Sequence, residues 1–133
     1  MAVYLSRSAD DTFEWAKNYA KTLRAGDTVL LEGEMGAGKT AIAKGIAAGL
    51  GITEEVTSPT YAYINAYGDT LFHFDCYRVT SEAQALALGF ADYFEAGGIC
   101  LVEWSENIAG LLPERCKKIV LKKRGEEERE ISF

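Results

Sequence analysis

The sequence predicts an α/β fold built on a mixed sheet. Two unbroken apolar runs, in TVLLEG at 28–33 and GICLVEW at 98–104, are typical of strands buried on both faces. A segment rich in small residues, at 40–51, follows the first run and favours a helix. Two strand-like segments, at 61–67 and 70–78, flank Gly68-Asp69 and predict a hairpin. A strand, a crossover helix and a second buried strand, with a hairpin attached, indicate parallel and antiparallel pairs in one sheet.

Further elements flank this centre. Ser8 to Asp11 supplies cap residues for a first helix, whose apolar residues recur at helical spacing until Gly26-Asp27 ends it. Ser81 caps a predicted helix over 81–90, and residues 117–133 predict a terminal hairpin that turns at Gly125. A chain of 133 residues is long enough for one core, so we expect a single domain over 1–133.

Composition limits the possible partners. The net charge of −6 and the pI of about 4.8 make the chain a poor nucleic-acid binder on its own, so contact with RNA is expected to run through a partner. The three cysteines are widely spaced and only one histidine is present, which favours reduced, buried thiols over a zinc site. Neither a signal peptide nor a membrane-spanning segment is expected, and the predicted location is the cytoplasm.

The segment GEMGAGKT at 33–40 fits the Walker A pattern of phosphate-binding loops. Glycines let the backbone curl so that its N–H groups point at phosphate oxygens, and the following helix adds its positive N-terminal end. Lys39 is expected to reach the β and γ phosphates as a catalytic residue, and the Thr40 hydroxyl to ligate Mg²⁺. The predicted ATP-binding residues of this stretch are Gly33, Glu34, Met35, Gly36, Ala37, Gly38, Lys39, Thr40 and Ala41. The motif refines the fold class to a P-loop NTPase-like three-layer sandwich, with a mixed, mainly parallel sheet and helices on both faces; a glycine-rich turn without a ligand is the alternative.

A phosphate-binding loop of this kind also needs an acid at the end of a buried strand. Glu103 ends an unbroken apolar run and is assigned to the metal. Asp75 is assigned to the γ-phosphate side as a catalytic residue that orients the attacking water. An ordinary strand-end carboxylate is the alternative for both. His73 has a site role or a structural one, and Arg78 pairs with Asp75, with phosphate or with a surface carboxylate.

The terminal hairpin places one cation on its apolar face. If residues 127–133 alternate, Arg129 shares a face with Ile131 and Phe133, and a planar guanidinium there suits stacking on an adenine ring. The basic residues of the preceding strand, at 117–118 and 122–124, are expected to pair with Glu126, Glu128 and Glu130 across the hairpin. A docking patch for RNA is the alternative for those cations.

Four motifs together resemble the bacterial TsaE (YjeE) family: GEMGAGKT, TSPTY, HFDCYR and LVEW, in order and at similar spacing. The family comprises small P-loop ATPases of tRNA threonylcarbamoyladenosine biosynthesis. The resemblance implies that Ser58 and Thr60 of a switch-like loop lie beside the γ-phosphate and contact ATP. It implies that Asp75 is needed for activity and that Glu103 is the acid on the magnesium side. It also implies that Arg129 lies near the family's C-terminal nucleotide contact. Residues near Ala9 resemble the family's adenine-side edge.

The resemblance also implies partners and a reaction. Family members support the TsaD–TsaB pair, which transfers a threonylcarbamoyl group to the adenosine next to the anticodon, so tRNA would be met indirectly. The expected activity is slow, Mg²⁺-dependent ATP hydrolysis. A small-molecule kinase on the same scaffold is one alternative, although the chain has no arginine-rich insert for a lid. A nucleotide-dependent switch with negligible turnover is the other.

Overall fold

A computed structural model describes residues 1–57, Pro59 and residues 63–133. Within them, one seven-stranded sheet has the strand order β1-β7-β6-β2-β5-β4-β3. The strands are β1 Val3–Ser6, β2 Thr28–Gly33, β3 Ile64–Tyr67, β4 Leu71–Asp75, β5 Ile99–Glu103, β6 Lys117–Lys123 and β7 Arg129–Ser132. The helices are α1 Ala9–Tyr19, α2 Lys39–Gly49, α3 Glu82–Ala87 and α4 Phe90–Glu95, with 3₁₀ segments at Ala20–Thr22 and Ser105–Leu111.

The sheet contains both kinds of strand pair. β4 and β5 run parallel, with Asp75 opposite Glu103. β1–β7, β6–β7 and β3–β4 run antiparallel and lie toward the two edges of the sheet. The predicted α/β class with a mixed sheet is therefore confirmed, and the β3–β4 and β6–β7 pairs include both predicted hairpins.

The chain divides into two compact units. Unit 1 comprises residues 1–23, 31–57 and 118–133, and unit 2 comprises residues 24–30 and 58–117. Strand β2 contributes residues to both. Each unit is described by itself below.

In unit 1, the helix that follows the glycine-rich loop packs unusually close to the first helix. A Cβ atom on Gly45 of α2 would lie 2.5 Å from the Ala16 Cβ and 2.5 Å from the Phe13 carbonyl oxygen of α1. A Cβ on Gly49 would lie 2.4 Å from the Lys17 carbonyl oxygen. Only a residue without a side chain fits such a contact, so these two glycines fix how near α1 lies to α2.

Strand β1 was not predicted from the sequence. It lies at one edge of the sheet and pairs with β7, with Tyr4 opposite Ile131. Its side chains are tied to α1: the Tyr4 hydroxyl donates to the Asp11 carboxylate at 2.5 Å, and the Ser6 and Thr12 hydroxyls are 2.6 Å apart. The bond from Tyr4 lowers the pKa of the Asp11 carboxyl. The first and last strands thus help to hold α1 in unit 1.

Unit 2 has an aromatic core on one face of β4 and β5. Phe72 and Phe74 of β4 lie in a buried cluster with Phe90 of α4 and Val102 of β5. The Phe74 ring stacks on Phe94 at 4.8 Å and meets Phe90 edge-on at 5.3 Å.

The single helix predicted over 81–90 is wrong in its extent. The Ser81 Oγ accepts from the Gln84 N–H, as the predicted cap should, but α3 ends at Ala87. Gly89 has a left-handed backbone (φ 84°), and α4 starts after it. A residue at positive φ interrupts the helical hydrogen bonding, so two short helices replace the predicted one.

Candidate functional site

The Walker A segment forms a loop between β2 and α2 in unit 1. Gly36 (φ 81°) and Gly38 (φ 104°) have backbone angles that residues with side chains rarely adopt. Gly33 meets the neighbouring strand so closely that a Cβ would lie 3.1 Å from both Leu121 Cβ and the Leu121 carbonyl oxygen. A Cβ on Gly38 would have nothing within 4 Å, so the space above this residue is open. Close packing therefore explains the glycine at 33, and the positive φ angles explain the glycines at 36 and 38.

The helix that follows the loop starts without a capping side chain. Ser8 caps α1, whose first turn also carries Asp10 and Asp11. In α2, the N-cap is Gly38, no side chain caps the helix and no acidic residue lies in the first turn. The first N–H groups of a helix need acceptors, and its N-terminal end attracts negative charge. Because α2 supplies neither acceptor nor carboxylate itself, its start fits an anion such as a phosphate group.

Arg129 holds the loop from the side of the terminal hairpin. Its Nε donates to the Ala37 carbonyl at 2.9 Å, and its Nη2 donates to the Gly36 carbonyl at 3.4 Å. Its Nη1 donates to three carbonyls of the β6–β7 turn, those of Gly125, Glu126 and Glu128. The guanidinium therefore ties the loop to the turn through main-chain acceptors. This contact is additional to the predicted adenine stacking, which stays a prediction.

A cavity of about 140 Å³ opens beside this contact in unit 1. Its lining comprises Ala9, Thr12, Gly38, Ala41, Glu126, Glu127 and Arg129. The residues expected at the adenine-side edge, Ala9 and Arg129, thus lie on the same cavity as the end of the loop. The lining combines three small residues, Ala9, Gly38 and Ala41, with four polar or charged ones.

The two candidate acids lie side by side in unit 2. Asp75 ends β4 and is opposite Glu103, which ends β5. Glu103 is buried, with 8% of its surface exposed, and its Oε2 lies 2.6 Å from the Nε2 of His73, which is 2% exposed. His73 therefore has a specific partner. The sequence left the role of His73 open. The available signal was that His73 and Glu103 are polar residues, each within a mostly apolar strand segment.

Asp75 is half-buried and shapes the turn after β4. Its Oδ1 accepts from the Tyr77 N–H at 3.0 Å. Such a bond stabilises a turn by itself, so it supports the structural alternative, and the predicted role toward water remains a prediction.

Trp104 follows Glu103 with a left-handed backbone (φ 57°), which is uncommon for a bulky residue. Its ring packs against the aromatic core of unit 2 and lies 5.0 Å from the Tyr77 ring. Its side chain therefore packs with the core of unit 2. The strained backbone ends β5 directly after the acid.

The remaining predicted site residues differ in how exposed their side chains are. Lys39 is half-buried and Thr40 is exposed in the first turn of α2. Glu34 and Met35 are exposed in the loop. Ser58 and Thr60 lie outside the described residues. Unit 1 thus brings together the whole 33–41 stretch and Arg129, and unit 2 brings together Asp75 and Glu103.

The basic residues of β6 and of the turn after it pair with carboxylates in different parts of the chain. Arg124 pairs with Glu130 across the hairpin, as expected. Lys117 instead pairs with Asp27 at 3.4 Å, and Lys118 with Glu32 at 3.6 Å. Pairing with the hairpin glutamates was therefore wrong for these two lysines, because they lie at the start of β6, beyond the reach of residues near the turn.

The cysteines are free thiols. Burial raises the pKa of Cys76 to about 12, with the nearby Asp75 charge as a second cause, and burial also raises the pKa of Cys100 to about 12. Since the thiolate is the nucleophile, these two groups are inert at neutral pH. Cys116 is only half-buried, so the expectation of buried thiols holds for two of the three.

The fold and the sequence motif together define the class of the protein: an α/β protein with a glycine-rich loop of the Walker A pattern between a strand and a helix. The sequence matches the model of one family, described as Threonylcarbamoyl adenosine biosynthesis protein TsaE, over residues 6–131. The chain belongs to the TsaE family, whose role is in tRNA threonylcarbamoyladenosine biosynthesis.

Individual relatives agree with this family. The tRNA threonylcarbamoyladenosine biosynthesis protein TsaE of Bacillus subtilis (strain 168) is 45% identical over 127 residues, which cover 93% of this chain and 79% of the relative. The protein of the same name from Treponema pallidum (strain Nichols) is 40% identical over 130 residues, 96% of each chain. The crystal structure of Bacillus subtilis YdiB superposes with a TM-score of 0.82 at 39% identity, covering 98% of this chain and 82% of that one.

Within the described parts of the chain, no helix is both long and apolar enough to cross a membrane.

Proposed function

We propose that this chain is a slow, Mg²⁺-dependent ATPase that supports a TsaD–TsaB type complex in threonylcarbamoyl transfer to tRNA. The observation that carries the ATP-binding part is the start of α2. The helix begins with an uncapped, acid-free turn directly after two glycines at positive φ, and the space over Gly38 is open. Family membership supports the pathway.

This proposal assigns roles to the backbone of the loop, to Lys39 and to Arg129. Backbone N–H groups of the loop and of the first turn of α2 bind the phosphates. The Lys39 ammonium neutralises β- and γ-phosphate charge. The cavity lined by Ala9, Ala41 and Arg129 takes the base end of the nucleotide. Arg129 acts there by holding the loop, and any stacking on adenine is added to that.

The donor chemistry of the proposed metal residues fits Mg²⁺. Mg²⁺ binds oxygen ligands and is usually held by one or two protein groups together with substrate phosphates. Thr40 offers a hydroxyl and Glu103 a carboxylate, and the described residues contain no cluster of three His, Cys, Asp or Glu side chains. When bound, the ion would neutralise phosphate charge. Asp75 would orient the attacking water.

A partner is proposed because turnover by the chain alone should be slow. An arginine supplied in trans speeds related hydrolases by about 10³–10⁵-fold. In the described part of the chain, Arg129 is committed to main-chain carbonyls and Arg124 to Glu130. A TsaD–TsaB type pair could supply such a group or order the 57–61 segment over the γ-phosphate. The acidic chain would meet tRNA only through that complex.

The test is steady-state phosphate release with and without TsaD–TsaB from the same organism, together with transfer cycles per complex on unmodified tRNA. We expect the pair to bind this chain only with ATP present and to change its turnover. Lys39→Ala is the matched control, since it should remove nucleotide binding measured by calorimetry. A parent protein that binds no ATP contradicts the ATPase. Transfer cycles that proceed equally without this chain contradict its supporting role.

A small-molecule kinase or a switch with negligible turnover would give different results. A kinase would consume ATP faster when its small substrate is present. A switch would bind ATP without measurable phosphate release, even with the partner pair.

A further inference from the structure

The bond between His73 and Glu103 joins two buried polar side chains of unit 2. His73 Nε2 and Glu103 Oε2 are 2.6 Å apart, and the two residues are 2% and 8% exposed. Both strands around them are mostly apolar: β4 and β5 contribute the buried residues Leu71, Phe72, Phe74, Leu101 and Val102, and the half-buried Asp75 at the end of β4 is the remaining polar residue. A polar pair in such a place requires a physical explanation.

The direction of the bond follows from its chemistry. A carboxylate only accepts hydrogen bonds, so the His73 Nε2 carries the proton and donates. His73 Nδ1 is buried and has no hydrogen-bond partner among the described residues. An unpaired buried polar atom costs free energy, and an apolar side chain of similar size would avoid this cost. Packing alone therefore does not explain a histidine at this position.

The strand register shows what the histidine does to the acid. His73 is opposite Leu101, and Asp75 is opposite Glu103, so the bond runs diagonally between pairs that are two positions apart along the parallel strands. The imidazole thus holds the Glu103 carboxylate from the interior of the sheet. A glutamate has three rotatable side-chain bonds, and a buried hydrogen bond to a rigid ring selects one arrangement among them.

We propose that His73 is a positioning residue, which fixes the orientation of the Glu103 carboxylate for its work on the metal side of the nucleotide. This inference rests on the proposed function for the role of Glu103. The positioning itself does not depend on a bound nucleotide. It assigns His73 no contact with the nucleotide.

Three substitutions separate positioning from packing. His73→Gln keeps an N–H donor at the same number of bonds from Cβ as the imidazole Nε2. His73→Asn keeps a polar side chain but is too short to reach Glu103, and His73→Leu keeps volume without a donor. Thermal melting of each variant checks that it folds.

The first measurement needs no ligand. In crystal structures of the ligand-free variants, we expect Glu103 to keep its side-chain orientation in His73→Gln and to change it or become disordered in His73→Asn and His73→Leu. An unchanged Glu103 in His73→Leu overturns the proposal, whatever the protein binds.

The second measurement is the nucleotide dissociation constant with Mg²⁺ and with a chelator in its place. Loss of a residue that orients a metal ligand typically costs about 10–100-fold in metal affinity. We therefore expect His73→Asn and His73→Leu to lose about that factor in Mg²⁺-dependent affinity, to keep metal-free affinity, and His73→Gln to recover most of the loss. Equal losses with and without Mg²⁺, or no recovery by Gln, overturn the proposal. A parent protein without Mg²⁺-dependent ATP binding contradicts the proposed function and the metal-side role, while the crystal structures still decide the positioning.

Discussion

Arg129 offers the sharpest test of how the glycine-rich loop at 33–40 is held. Its Nε donates to the carbonyl of Ala37, a residue with 0% exposure, at 2.9 Å. Arg129→Met keeps the length of the side chain but has no donor, so it leaves that acceptor without its partner, and an unsatisfied buried group costs about 1–3 kcal/mol. The turn carbonyls that accept from Nη1 are exposed, so water replaces the guanidinium there at little cost.

The expected loss is therefore about 2 kcal/mol in the free energy of unfolding, measured without nucleotide. For a chain of 133 residues, each kcal/mol shifts the melting temperature by about 3–5 °C, so the melting temperature should fall by about 6–10 °C. Differential scanning calorimetry or a urea titration measures this loss.

Arg124→Met is the matched control on the same hairpin. Arg124 pairs with Glu130, but its side chain is 55% exposed, and such surface pairs contribute about 0–1 kcal/mol. If both variants melt like the parent and only Arg129→Met loses ATP affinity, the guanidinium acts as a direct nucleotide contact and the reasoning about the loop is refuted.

Two further predictions concern the helix contact and the acid. Gly45→Ala should lower the free energy of unfolding by about 1–3 kcal/mol, because its Cβ overpacks against Ala16 and Phe13 in spite of the better helix propensity of alanine; urea titration measures it, with Gly125→Ala, where the nearest atom is 3.9 Å away, as the control. A Gly45→Ala protein as stable as that control would contradict the close packing. Asp75→Asn keeps an oxygen that can accept from the Tyr77 N–H but removes the charge, so it should bind ATP nearly as well as the parent and hydrolyse it far more slowly. Calorimetry and phosphate release measure the two effects, and an affinity loss as large as the rate loss would make Asp75 a binding residue.

Much of the fold was predictable because local signals agreed with the tertiary structure. The apolar runs at 28–33 and 98–104 became β2 and β5, and the segment after the glycine loop became α2. Gly68 turns at φ 57° between β3 and β4, as the hairpin required. These elements combine strong hydrophobic pattern with turn residues, so sequence alone is sufficient.

The missed elements depend on distant partners. Strand β1 is an edge strand whose only described strand partner is β7, at the other end of the chain, and no local pattern announces such a pairing. The left-handed Gly89, which divides the predicted helix, also carries no signal that distinguishes it from a tolerated helical glycine.

The same distinction between local signals and distant partners applies to the candidate site. The loop and the two acids follow from motif and strand position. The bond from Arg129 to Ala37 joins residues 92 positions apart through a main-chain acceptor, which a side-chain pattern does not encode. The His73–Glu103 bond depends on the parallel register of β4 and β5, and that register became known only with the structure.

The discontinuous make-up of unit 1 sets an order of events during synthesis of the protein. The loop emerges from the ribosome early, but β7 and Arg129, which hold it, are translated last. A nascent chain therefore carries the complete Walker A sequence long before the loop has its support, and we expect ATP to be excluded as a folding ligand until translation is nearly finished. A chain that stops at residue 124 should show no ATP-dependent protection from protease, whereas the full chain should.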